Sequence, residues 1–68
     1  MTAFVKRLRA IRHQQGITQE TLARRSKISH GFVARLEIGM HNPSMRTLVK
    51  LSRGLRVPPG RLIGGDND

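Results

Sequence analysis

The sequence contains no cysteine, tryptophan or tyrosine, and its only aromatic side chains apart from histidine are Phe4 and Phe32. Without thiols neither a disulfide framework nor a thiolate-ligated zinc site can form, which excludes a small secreted scaffold and a zinc finger and fits a reducing cytoplasm. So few rings also argue against a single-strand binder, which stacks bases on several aromatic platforms. No run approaches the ~20 apolar residues of a membrane span. The opening MTAFVKRLRAIRHQQG has neither the apolar stretch nor the small-residue cleavage site of a secretory signal, so the expected location is the cytoplasm.

Acid is scarce too. Four Asp+Glu stand against thirteen Lys+Arg, for a net charge of +9, and Asp66 and Asp68 belong to the last three residues. Residues 1–65 therefore hold every cation with only Glu20 and Glu37 in opposition. A small domain charged in this way repels itself unless it meets a polyanion, which makes nucleic acid or an anionic membrane surface the leading partner class. Ten of the cations are arginine, whose planar fork suits phosphate oxygens and guanine edges. A membrane-surface peptide would need one long basic face with Trp or Phe anchors, whereas this charge is divided among short segments, so no membrane partner is expected.

Sixty-eight residues make one small domain, because a chain of this length buries only about 60% of its unfolded surface. The domain is expected over residues 1–63, followed by a flexible Gly/Asp/Asn-rich tail at 64–68. An enzyme is not expected: His13, His30 and His41 lack metal-ligand spacing, no acid pair exists outside the tail, and no serine sits in a nucleophile motif. Neither a metal nor a cofactor is implied.

The chain divides into five segments, each too short to be a stable helix alone. Over residues 2–15, Phe4, Leu8 and Ile11 fall within about 60° of a helical wheel, with Val5 and Arg12 at the margin, and Gly16 suits a left-handed exit. Thr18 caps a second helix over 19–25 with Leu22 and Ala23 inward. After a tight connection at Lys27-Ile28, Ser29 caps a third helix to about Ile38. Val33 and Leu36 lie on one side of that helix, and Gly31, Arg35 and Ile38 on the other. Pro43 keeps residues 40–43 in a loop. Ser44 caps a fourth helix carrying Leu48, Leu51 and Leu55, and Pro59 opens a short fifth helix through Leu62 and Ile63. The fold class is all-α.

Two short helices joined by a tight turn, the second with a polar and basic outer face, meet the requirement for a helix-turn-helix. Three stretches carry a closer likeness: Ile17-Thr18-Gln19-Glu20-Thr21-Leu22-Ala23, then Ile28-Ser29-His30-Gly31-Phe32-Val33, then Leu36-Glu37-Ile38-Gly39 with Asn42-Pro43-Ser44. In this order and spacing the chain resembles the Cro/phage-repressor (XRE-type) helix-turn-helix family over roughly residues 6–63. The resemblance implies a compact five-helix lambda-repressor-like domain. It would bind double-stranded DNA as a homodimer on a two-fold-related operator, with the third helix in the major groove.

Matched position by position, the resemblance places His30, Gly31 and Arg35 at the base-facing sites. Arg35 can take guanine O6 and N7 together, a contact worth ~1–3 kcal/mol of discrimination; the plain alternative is a solvated surface arginine. His30 can reach a base edge or a phosphate, or be an ordinary exposed histidine. Gly31 costs ~0.5–1 kcal/mol of helix stability relative to Ala, which makes sense where a backbone must approach DNA closely. Phe32 either packs on the second helix or meets a thymine methyl.

Phosphate contacts are expected at helix N-termini, from Thr18 and Gln19 and from Asn42, Ser44 and Arg46, with Lys27 adding diffuse attraction. The resemblance also pairs Arg12 with Glu37 in a partly buried salt bridge between the first and third helices. Ile38 departs from the family's polar residue before Gly39 and removes a phosphate contact, and Arg56 replaces a common glycine. Leu55, Val57, Leu62 and Ile63 offer more apolar surface than so small a core needs and form the expected dimer seam. The expected role is a stand-alone repressor or controller. The alternative is an antitoxin that neutralises a protein partner and autoregulates its operon, although these 68 residues leave no room for a separate toxin-binding domain.

Overall fold

A computed structural model describes residues 2–63; the expected tail at 64–68 lies outside the described residues. These form α1 (Thr2–Gln14), α2 (Gln19–Ser26), α3 (His30–Glu37), α4 (Met45–Leu55) and α5 (Pro59–Ile63), with no strand among the described residues. Three starts are capped by hydroxyls in extended backbone: Thr18 accepts from Thr21 N–H, Ser29 from Phe32 N–H and Ser44 from Thr47 N–H. Each cap satisfies one of the donors that a helix start leaves without an internal partner.

The exits of α1 to α4 share one device. Gly16, Lys27, Gly39 and Arg56 all adopt left-handed backbone, with φ of 68°, 60°, 82° and 59°. The following residue then donates its N–H to a carbonyl five positions back: Ile17 to Arg12 (3.3 Å), Ile28 to Ala23 (3.1 Å), Met40 to Arg35 (2.9 Å) and Val57 to Ser52 (2.9 Å). This is the Schellman closure, which usually places glycine at the left-handed position. Lys27 and Arg56 adopt it at a cost of roughly 1 kcal/mol each, partly offset because each puts a cation at a helix C-terminus.

One apolar cluster holds the helices together. It takes Phe4, Leu8 and Ile11 from α1, Leu22 and Ala23 from α2, Val33 and Leu36 from α3, Leu48, Leu51 and Leu55 from α4, and Leu62 from α5. Helix α2 packs against both α3 and α4, while α5 packs against α1 and α4. Where α2 crosses α4 the backbones come close: a Cβ on Gly54 would lie 2.2 Å from Ser26 Oγ and 3.2 Å from Ser26 N. Ser26 Oγ is buried in that crossing without a hydrogen-bond partner. At the far end of α4, Gln15 Nε2 donates to the Leu55 carbonyl at 2.6 Å and satisfies one of its terminal acceptors. No helix among the described residues is long and apolar enough to cross a membrane.

The burial of Leu55 and Leu62 corrects the expected seam. Both are fully inaccessible within a single chain, because α5 folds back onto α1 and α4 and uses Leu62 to close the core. Of the four seam residues, only Ile63, at 47% exposure, and the half-buried Val57 leave apolar surface at that end.

Candidate nucleic-acid interface

Helix α3 separates two environments. Its inner face contributes Val33, Leu36 and Glu37, all buried, while His30, Gly31 and Arg35 are exposed on the other side. Phe32 falls between them: it packs against the core, and its ring lies 5.7 Å from that of His41 at a tilt of 44°. A helix with one face locked to a core and the other bare can enter a groove without unfolding its support. The major groove of B-DNA, about 12 Å wide, admits such a helix.

The inner end of α3 is tied to α1 and α2 by a charged junction. Arg12 Nε donates to Glu37 Oε2 at 2.6 Å and Arg12 Nη2 donates to Glu37 Oε1 at 2.9 Å. Arg12 also donates from Nη1 to the Ile17 carbonyl at 2.9 Å and from Nη2 to His13 Nε2 at 3.0 Å. Gln19 Nε2 joins from the first residue of α2, donating to Glu37 Oε1 at 3.0 Å. Burial alone would raise the Glu37 pKa, but the hydrogen bonds from Arg12 and Gln19, with the positive charges of Arg12 and Arg9, outweigh it and hold the carboxyl below its ordinary value. Glu37 is 2% exposed, so removing either charge would strand the other in a nonpolar interior.

The helix N-termini differ in their electrostatics. The hydroxyls of Thr18 and Ser44 are both fully engaged in capping, accepting from Thr21 N–H and Thr47 N–H and donating to Thr21 Oγ1 and Thr47 Oγ1. Each start therefore offers an incoming phosphate its remaining backbone N–H groups rather than the cap hydroxyl. At α2 the exposed Glu20 stands in the first turn, whereas the first turn of α4 contains no acid and carries the exposed Arg46. The α4 start is thus the more electropositive of the two. Gln19 has one amide N–H engaged with Glu37 and a second left to donate. Asn42 is exposed in the loop before α4, and Lys27 is exposed in the turn between α2 and α3. Lys27 shares the edge of a cleft of about 210 Å³ with Arg25, Ser26, Lys50 and Arg53.

Three features of this surface are not legible in the sequence pattern. His41 donates nothing to the helical periodicities, yet it accepts a hydrogen bond from Arg35 Nε at 3.2 Å. Gln19 enters the Arg12–Glu37 junction across a helix boundary. Met40 and Met45 are both more than 60% exposed beside the outward-facing Ile38, so the segment joining α3 to α4 shows apolar side chains beside its polar ones.

Comparison with known proteins places the chain. A family model described as helix-turn-helix matches residues 8–62, and the chain belongs to the XRE-type helix-turn-helix family. It is 30% identical over 59 residues to the immunity repressor protein of Bacillus phage phi105, a match covering 87% of this chain and 41% of that protein. It is 36% identical over 53 residues to an uncharacterised HTH-type transcriptional regulator of Sinorhizobium fredii, covering 78% and 69% of the two chains. With a similarly described regulator of Haemophilus influenzae it shares 41% identity over 49 residues, covering 72% and 50%. The chain thus spans less than half of the phage repressor's length and half of the Haemophilus regulator's. Among solved structures, the restriction-modification controller protein C.AhdI from Aeromonas hydrophila superposes with a TM-score of 0.85 at 37% identity, covering 88% of this chain and 91% of that one.

Proposed function

We propose that this chain binds double-stranded DNA in a sequence-specific manner and regulates transcription, as a repressor or controller, by inserting the outer face of α3 into the major groove. The observation that carries the reading is the division of α3, with Val33 and Leu36 locked inward and His30, Gly31 and Arg35 bare on the other side. Net charge of +9 supplies the attraction to the phosphate backbone that brings duplex and protein together. Arg35 reads a base, with His30 and Gly31 beside it, while the α4 start with Asn42, Ser44 and Arg46, the α2 start with Thr18 and Gln19, and Lys27 meet phosphates. Phe32 supports this surface from behind rather than reading bases, given its packing on the core. The antitoxin alternative draws no support from the relatives, which are a repressor, two HTH-type regulators and a controller.

Action as a homodimer follows from the few base pairs that one helix-turn-helix spans, since two copies about 34 Å apart match a palindrome. The site of action is the cytoplasmic nucleoid. Selection of bound duplexes from a random library at ~150 mM salt tests the reading. A palindromic consensus is the expected product; binding with a steep salt slope and no consensus would overturn it. For the dimer, Ile63→Asp should shift the sedimentation of the protein to that of a monomer. Leu62→Asp is unsuitable, because it would place a charge inside the core.

A further inference from the structure

An exposed arginine is a poor reader of bases unless something limits its freedom, because ordering so rotamer-rich a side chain opposes binding. One neighbour, His41, limits that of Arg35, and two more, Gly31 and Phe32, make the contact possible. One turn earlier, Gly31 has no side chain, and a Cβ there would lie 3.3 Å from Arg35 Nη1, so the guanidinium lies back across the helix over the glycine. From the segment after α3, His41 accepts the Arg35 Nε–H at 3.2 Å. Arginine can only donate, so at this contact His41 Nε2 serves as the acceptor. The His41 ring in turn rests against Phe32, with ring centroids 5.7 Å apart, and Phe32 is packed on the core. A continuous path thus runs from the core through Phe32 and His41 to the guanidinium.

We propose that His41 is a positioning residue for base recognition, which holds Arg35 so that its Nη1 and Nη2 ends alone are offered to the groove and selects guanine at one position of each half-site. The inference rests on the reading of Arg35 as a base contact. Its geometric content is the edge of the guanidinium. With Nε–H engaged by His41, the side-on edge made of Nε and Nη2 is closed to DNA, and the four remaining N–H groups lie on the terminal nitrogens. That end-on fork matches the paired acceptors O6 and N7 of guanine, while adenine presents a donor beside N7 and repels half of the fork. Gly31 contributes by absence, since any side chain there would push Nη1 off the helix surface.

Parallel selections from one random duplex library test the proposal, using wild type, His41→Ala, His41→Gln and Arg35→Ala, with thermal melting of each protein. Expected for His41→Ala is a roughly two- to tenfold loss of guanine preference at one position per half-site, the range set by ordering one long side chain, with Tm and salt slope unchanged. His41→Gln should restore the preference, because its amide oxygen can accept the same Nε–H. Arg35→Ala should abolish it. Wild-type guanine preference in His41→Ala, or no restoration by His41→Gln, overturns the positioning role while leaving Arg35 as a reader. Unchanged preference in Arg35→Ala overturns both this proposal and the assignment of Arg35.

Discussion

Arg12 and Arg35 are each hydrogen-bonded through Nε, but one lies in a closed junction and the other on an open surface. Arg12 presents its side-on edge to a 2% exposed carboxylate and has further acceptors at Ile17 and His13. Arg35 has one side-chain acceptor, His41, and is otherwise open to solvent. The same functional group thus has four of its five N–H groups engaged where it holds helices together, and only one engaged where it can meet a ligand. A buried ionic junction is costly to break because a stranded charge remains, whereas an exposed side-chain contact contributes little to stability and can be given over to orienting a side chain.

Five predictions sharpen this contrast. Glu37→Ala strands Arg12 and should destabilise the fold by about 3–5 kcal/mol, a fall in Tm of at least ~12 °C. A fall of a few degrees would show that the junction is not a structural tie. The same carboxylate sets an acid limb. Its native pKa is lowered, so its contribution is complete above the unfolded value of about 4.5 and is lost as pH falls through the native value. Urea titrations at stepped pH should show that loss in wild type and a shallower one in Glu37→Gln.

Arg35→Ala should act in the opposite manner, costing ~1–3 kcal/mol in binding to the selected duplex while stability changes by less than about 0.5 kcal/mol. A large loss of stability would place Arg35 with Arg12 as a structural group and collapse the contrast. Next in size are the two left-handed cations: Lys27→Gly and Arg56→Gly should each raise stability by up to about 1 kcal/mol, seen as an upward shift in the denaturant midpoint with m unchanged. Smallest is Arg46→Ala at the α4 start. Binding should weaken about equally on every sequence, and the slope of log K against log salt should become shallower by roughly one. An effect confined to one base pair would move Arg46 from phosphate to base contact.

Much of the fold is legible because its signals are local. Thr18, Ser29 and Ser44 act within one turn of themselves, and the stripes Phe4/Leu8/Ile11 and Leu48/Leu51/Leu55 need only helical periodicity to be seen. Gly16 announces its left-handed exit because glycine is free to adopt it, while Lys27 and Arg56 do the same with side chains that give no such signal. A dimer seam, by contrast, depends on more than a local pattern. Counting apolar residues at 55–63 does not reveal that α5 returns to α1 and places Leu62 inside the chain.

The sequence by itself determined the helices, the inward stripe of each and the polar face of α3, since caps and 3.6-residue periodicity are properties of neighbouring residues. Only the tertiary structure decided that Gln19 completes the Arg12–Glu37 junction, that Leu62 belongs to the core, and that His41 meets Arg35. Each of these depends on how helices cross and where a loop returns. Those arrangements come from the whole core packing at once, and no short stretch of residues encodes them.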